Sequence, residues 1–333
     1  SGSVADVNTA LAALTFAPAT NNDQNATISI SVADGGEDAA TVASGTINLN
    51  VTAVNDAPVL TASHPVLAQL TEDATSNGGV QVSAFRGAIS DVDSSFAPGI
   101  AITAQDAGNG KWQYQIGGNS GSWTDFGTVS DASALVLADA DYIRFFPNAE
   151  NATTAGLTYR GWDGSGTVTA QRMDATASGG NTPFSTASDE VSLVVTDVND
   201  APVLTAAGKT LNGITEDDID NAGQTVSDLL GTVRDVDTGA TGGVAIFGQD
   251  DGNGTWQFRI DGTNTWNDFG TVSSSSALLL SSADHIRFVP NGLNATTANF
   301  SFRAWDQTSG TAGSKADASL TGGTTPFSTT SDT

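Results

Sequence analysis

The chain of 333 residues carries 37 acidic against 11 basic side chains, a formal net charge of -26, and no cysteine. That charge excludes nucleic-acid binding by phosphate neutralisation and disfavours an anionic membrane surface, while the lack of cysteine excludes disulfide staples, thiolate metal sites and a cysteine nucleophile. Only Glu37, Glu72, Glu150, Glu190 and Glu216 are glutamates, so nearly all the negative charge is aspartate, a residue of turns, caps and calcium loops more than of helix faces.

Residues 1–56 open on Ser-Gly-Ser, which lacks the basic and apolar regions of a signal peptide. No apolar run in the chain approaches the roughly 18 residues of a membrane span, so no membrane insertion is expected. Ile28, Ile30 and Val32 alternate with polar residues, as do Ile47, Leu49 and Val51, which predicts half-buried strands. Leu14-Thr15-Phe16-Ala17-Pro18 parallels Ile143-Arg144-Phe145-Phe146-Pro147, and Asp34-Gly35 parallels Asp163-Gly164. Residues 1–56 therefore read as the C-terminal half of a preceding, shorter β-sandwich repeat.

From Val54 onward the sequence repeats itself. Val54-Asn55-Asp56-Ala57-Pro58-Val59-Leu60 returns 144 residues later as Val198-Asn199-Asp200-Ala201-Pro202-Val203-Leu204. The same shift carries Thr71-Glu72-Asp73 to Thr215-Glu216-Asp217 and Asp91-Val92-Asp93 to Asp235-Val236-Asp237; a shift of 143 then carries Trp123 to Trp266 and Arg160 and Trp162 to Arg303 and Trp305. Residues 57–200 form one complete repeat, and 201–333 a second copy without a counterpart of 191–200. The chain is expected to be a stretch of a longer tandem array.

Within each repeat the period is two. Trp112, Tyr114 and Ile116 alternate with Lys111, Gln113 and Gln115, as Trp256, Phe258 and Ile260 do with Gln257 and Arg259. Asn109-Gly110 and Asn253-Gly254 stand where a tight hairpin turn would want them. With 37 glycines and few helix formers, the expected fold is all-β: tandem Greek-key β-sandwiches, cadherin- or Ig-like, about one per repeat.

Acidic clusters mark both junctions. Calcium takes six to eight oxygens from carboxylates, amides and carbonyls. Asn55 and Asp56 lie in one linker and Asn199 and Asp200 in the other; Asp91 with Asp93, and Asp235 with Asp237, would project to one side of an extended chain. Solvated turn aspartates are the plainer reading of any single cluster. Three acidic motifs recurring together at both junctions favour a cation.

The segment Asp197-Val198-Asn199-Asp200-Ala201-Pro202-Val203 resembles the interdomain calcium linker of cadherins and of the cadherin-like repeats in giant bacterial surface proteins of the RTX-adhesin type. Gly252-Asn253-Gly254-Thr255-Trp256-Gln257, Ile286-Arg287-Phe288-Val289-Pro290 and Phe302-Arg303-Ala304-Trp305-Asp306 extend that resemblance along the unit. It implies Ca2+ held by Asn55, Asp56, Glu72, Asp91 and Asp93 at the first junction, and by Asp197, Asn199, Asp200, Glu216, Asp235 and Asp237 at the second. Ala53 stands where the second linker has Asp197, and the Leu-Asp-Arg-Glu motif of animal cadherins is absent. The upstream-domain acids are therefore open, with Asp34, Asp163, and Asp189 or Glu190 as candidates. The resemblance further implies an extracellular, cell-surface location and, as partners, neighbouring repeats of the same chain or adjacent copies in a filament.

Trp112 and Trp256 share a face with apolar neighbours and read as core. Strand alternation puts Trp162 beside Arg160 and Trp305 beside Arg303, either as a structural cation-π stack or as an exposed platform for a polysaccharide ring; Trp123 and Trp266 are open. Catalysis is not expected. His285 aligns with Tyr142 and His64 has no counterpart, so no histidine acid or base recurs, and there is no Gly-x-x-x-x-Gly-Lys phosphate loop. The leading expectation is a calcium-rigidified extender segment of a large extracellular adhesin. Its competitors are a carbohydrate-binding module and a filament subunit in which residues 1–56 complete a neighbour.

Overall fold

Alternating strands that bury one face each need a second sheet to cover them, and each repeat supplies two. The computed structural model describes residues 3–33, 41–93, 95–118 and 121–333. In the first repeat the larger sheet runs, edge to edge, Arg172–Met173, Ala134–Ala138, Gly99–Asp106, Thr153–Trp162, Phe184–Thr196 and Leu70–Thr71. The smaller runs Val80–Gln81, Tyr142–Pro147, Gly110–Gln115 and Thr124–Asp125. All these pairings are antiparallel except that of Leu70–Thr71, which lies parallel to the end of Phe184–Thr196. The second repeat reproduces the arrangement with Lys315–Ala316, Ala277–Ser281, Gly243–Asp250, Asn299–Trp305 and Phe327–Asp332 in one sheet, and Gln224–Thr225, His285–Pro290, Gly254–Arg259 and Asn267–Asp268 in the other. The all-β expectation holds.

The apolar positions of both sheets meet in a core built around Trp112 in the first repeat and Trp256 in the second. The Trp112 ring stacks on Phe126 at 6.3 Å and meets Phe145 edge-on at 5.3 Å, and its Nε1 donates to the Asp106 carbonyl at 3.1 Å. Asn109-Gly110 does lead into a strand, but the positive φ falls on Gly108 (43°). Gly110 is required for a different reason: a Cβ there would come within 2.4 Å of the Phe145 ring.

The central strands are buried on both faces. Ile100 and Ile102 point into the main core, while Ala101, with Ala134, Val136, Ala175 and Phe184, packs around Trp162 in a second apolar layer on the outer face. Residues 163–183 fold back over that face, and Trp162 Nε1 donates to the Ser165 carbonyl at 2.9 Å. Trp305 repeats this with Ala245, Ala277, Leu279, Ala318 and Phe327. The non-alternating runs Ile100-Ala101-Ile102 and Ala277-Leu278-Leu279-Leu280 carry the signal for such two-sided burial.

Before Asn55 none of the described side chains is buried. Val4–Ala12 is a helix, not foreseen from the sequence, started by a capping box between Ser3 and Asp6. Leu14 to Ala19 is coil rather than the strand its likeness to 143–147 suggests. Ala26–Val32 and Ala43–Leu49 do form strands, as a two-stranded antiparallel sheet, but Ala43–Leu49 is exposed at every residue except half-buried Leu49 rather than on one face, and Val51 lies outside it.

Candidate metal centre at the junction between the repeats

The linker 197–200 leaves the last strand of the first repeat, and Asn199 and Asp200 are held against the second. Asn199 Nδ2 donates to Asp306 Oδ2 at 3.0 Å, and the Asp200 N–H donates to Asp237 Oδ2 at 2.9 Å. Asp235 and Asp237 do not sit on an extended strand as expected. They lie in a turn closed by the Asp237 N–H on Asp235 Oδ1 at 3.1 Å, the local hydrogen bond aspartate favours in turns. The turn still presents both carboxylates to the linker. Asp306, which is buried, accepts from the Thr308 N–H and hydroxyl through Oδ1 and from Asn199 through Oδ2.

The first repeat contributes from across the junction. Glu72 is fully buried, and its Oε1 accepts the Val198 N–H at 2.7 Å. It arrives there because the segment 66–71 follows the last strand of its repeat to its end: Val66 bridges Ser192, and Leu70 and Thr71 pair with Val195 and Thr196. Asp197 Oδ1 accepts from the Ala152 N–H at 3.0 Å. Asn151 reaches the second repeat directly, its Nδ2 donating to the Val236 carbonyl at 2.9 Å and its Oδ1 accepting from the Thr238 hydroxyl at 2.6 Å.

Burial and crowding of like charge perturb these acids. Burial, with the neighbouring Asp197 and Asp200 charges, pushes the Glu72 carboxyl up to about 7. Asp200 is raised by burial and by Asp237, Asp73, Asp235 and Asp197, and Asp235 by burial and by Asp237 and Asp306. Among the described residues none of these carboxylates is paired with a lysine or arginine. Glu72 Oε2, Asn199 Oδ1, Asp200 Oδ2, Asp235 Oδ2 and Asp237 Oδ1 are all shielded from solvent and without a hydrogen-bond partner. Buried oxygens normally have partners, so orphan acceptors on neighbouring acids that raise one another's carboxyls have the chemistry of a hard cation's ligand shell. Among the described residues no three acidic or histidine side chains already close into a cage; the oxygen set includes the Asn199 amide as well.

The first junction is half of such a site. Asn55 Nδ2 donates to Asp163 Oδ2 at 2.9 Å, the Asp56 N–H to Asp93 Oδ2 at 2.9 Å, and the Asp93 N–H to Asp91 Oδ1 at 2.9 Å, with Asp91 Oδ2 left orphaned. The assignment of Glu72 to this junction is corrected: it belongs to the far pole of its repeat, 126 residues from its hydrogen-bond partner Val198 and with the second linker. Glu216, its counterpart, is exposed. The candidate upstream acid Asp34 lies outside the described residues. Asp163 sits beside Asn55 at the head of its own repeat, so it serves the first linker and Asp306 the second. Asp189 is buried and structural: burial works against its charge, but the Ser63, His64 and Glu190 N–H groups and the Tyr159 hydroxyl hold its carboxyl below the usual range. Sequence reading missed Asp73, Asn151 and Asp306. The recurrence of Asp directly after the tryptophan in Trp162-Asp163 and Trp305-Asp306 was the available signal for the last.

Neither reading of the Arg–Trp pairs survives. Trp162 and Trp305 are buried under the outer-face loops, 3% and 1% exposed, and offer no platform to a sugar. Arg160 Nη1 donates to the Thr186 carbonyl at 2.8 Å, and Arg303 lies over the Phe247 ring at 5.1 Å. The register shifts between Arg160 and Trp162 and between Arg303 and Trp305 break the simple alternation. The cation-π stacks fall instead on Trp123, under Arg144 at 4.4 Å, and Trp266, under Arg287 at 4.3 Å.

No protein-family model matches the chain, and no curated protein does either.

Proposed function

We propose that the junction between residues 57–200 and 201–333 binds calcium and that the ion fixes one repeat upon the next, so that the chain serves as a stiff extender. The observation that carries this reading is the orphaned Oε2 of buried Glu72 in the first repeat at the same junction as the orphaned oxygens of Asn199 and Asp200 in the linker and of Asp235 and Asp237 in the second repeat. When bound, the ion supplies the positive charge that these acids lack. Glu72 and Asp73 bring negative charge from the first repeat, Asp197 and Asp200 from the linker, and Asp235, Asp237 and Asp306 from the second repeat, and a shared cation converts their repulsion into a link. The resemblance of the linker to cadherin-like repeats supports the same reading, and with it an extracellular bacterial surface protein whose repeats hold an end domain away from the cell. Affinity of about 10⁻⁴ to 10⁻³ M suffices in that setting. The buried state of Trp162 and Trp305 removes the two faces that the polysaccharide reading named.

Calcium titration by calorimetry in buffers of different ionisation enthalpy tests the proposal. Glu72 is largely protonated at pH 6 if its carboxyl titrates at about 7, and it must ionise to take a cation. Uptake at pH 6 is expected to release about one proton per junction, declining towards none at pH 8.5. Absence of binding up to roughly ten times the affinity range above would overturn it, whereas binding with no proton release at pH 6 would remove Glu72 from the ligand set.

A further inference from the structure

One loop of the first repeat touches both the linker and the second repeat. It spans 148–152, between the strands Tyr142–Pro147 and Thr153–Trp162. The Ala152 N–H donates to Asp197 Oδ1 at 3.0 Å. Asn151 spends both ends of its amide on the acidic turn of the second repeat. Its Nδ2 donates to the Val236 carbonyl at 2.9 Å, while its Oδ1 accepts from the Thr238 N–H at 3.1 Å and from the Thr238 hydroxyl at 2.6 Å. That carbonyl and that N–H flank Asp237, and Val236 separates Asp237 from Asp235. A single neutral side chain therefore grips the backbone that carries both carboxylates.

The loop is itself fixed from within its repeat. Asn109, first of the Asn-Gly pair that leads into Gly110–Gln115, donates through Nδ2 to the Ala152 carbonyl at 2.9 Å, and its own carbonyl accepts from the Asn148 N–H at 3.0 Å. Gly108 leaves room for Thr153, whose hydroxyl a Cβ would strike. The second repeat builds the same loop, with Asn253 donating to the Ala295 carbonyl at 3.2 Å and accepting from the Asn291 N–H at 2.8 Å. The recurrence of Asn-Gly at 109 and 253 and of Asn-Ala-Thr at 151 and 294 thus has one structural use.

An amide suits this place. A lysine or arginine would compete with the cation and an acid would add to the repulsion, whereas an amide donates and accepts at once without charge. We infer that Asn151 is a positioning residue for the cation site: by clasping Val236 and Thr238 it holds the Asp235 and Asp237 carboxylates in register with Asp197 and Glu72 across the junction. The inference rests on the calcium reading above and adds that the first repeat tunes affinity through a residue that is no ligand. A ligand set ordered in advance leaves less ordering for binding to supply, so loss of the clasp falls on affinity and not on the number of ions bound.

Calcium calorimetry on the 333-residue protein, Asn151→Ala, Thr238→Val and the double variant tests it. Asn151→Ala is expected to weaken binding about 5- to 30-fold, as the loss of such hydrogen bonds implies, at unchanged stoichiometry. Thr238→Val removes only the hydroxyl and should cost about 3-fold. The double variant should bind no more weakly than Asn151→Ala, because the hydroxyl has by then lost its partner, and Thr238→Ser should keep the parent affinity. In chelator Asn151→Ala should melt within about 2 °C of the parent, as a surface substitution does. Parent-like affinity in Asn151→Ala, or losses that add in the double variant, overturns the inference and leaves the calcium reading standing. A large loss of stability in chelator also overturns it, since Asn151 would then serve its own repeat. No calcium uptake by the parent removes both.

Discussion

Glu72→Gln is expected to weaken calcium binding at the junction about 10- to 100-fold while leaving the metal-free protein more stable at pH 7 than the parent. The two signs follow from one cause. Glu72 is fully buried with one orphan oxygen, and its neighbours are Asp197 and Asp200. Its folded pKa is raised, so ionising it disfavours the folded metal-free state, by on the order of 3 kcal/mol for a rise from 4.5 to about 7. The amide keeps the hydrogen bond from Val198 without the charge, but it removes charge from the ligand set that sets calcium affinity. Thermal melting of parent and variant, each with calcium and with chelator, reads both effects. A variant as responsive to calcium as the parent would remove Glu72 from the site.

Asp189→Ala should destabilise the first repeat by about 3 to 5 kcal/mol, because it strands the Ser63 and His64 N–H groups and the Tyr159 hydroxyl that the carboxylate now accepts from at 2.8, 3.0 and 3.0 Å. The pH dependence has a definite sign. The folded pKa of Asp189 is depressed, so its contribution is present above the unfolded value near 4 and is lost as pH falls through the folded value. Asp332 repeats this against Ala207 and Gly208. The raised pKa values of Glu72, Asp200 and Asp235 act oppositely: in the metal-free protein their contribution is full below about pH 4 and declines as pH rises towards 7. Chelated protein is therefore expected to be most stable in mildly acid solution, around pH 4 to 5, with calcium moving that optimum to neutrality. Denaturant melts across pH check this, and an optimum indifferent to calcium would count against the account.

The all-β character was legible because alternation is periodic, as at Trp112 to Ile116, and the internal repetition because it is local, with seven identical residues at each linker. The linker residues Asn199 and Asp200 and the pair Asp235 and Asp237 were legible for the same reason. What sequence distance conceals is which pole of a repeat a residue reaches. Glu72 lies 17 residues after Asn55 in sequence yet reaches the opposite pole, because the strand 70–71 runs parallel to 195–196. The tryptophans misled through a different limit. Alternation assigns faces, but it does not say that a loop such as 163–183 will cover the outer face, and burial on both sides is announced only by the unbroken apolar runs of the neighbouring strands.

The central claim, that calcium locks one repeat onto the next, is tested most directly by a distance distribution between the repeats. The chain has no cysteine, so Thr128→Cys and Thr271→Cys, both at exposed positions, accept spin labels at those two sites alone. Pulsed dipolar spectroscopy should show a broad distribution in chelator that narrows sharply with calcium, and in Glu72→Gln it should stay broad at calcium concentrations that saturate the parent. Distributions of equal width with and without calcium would contradict the account.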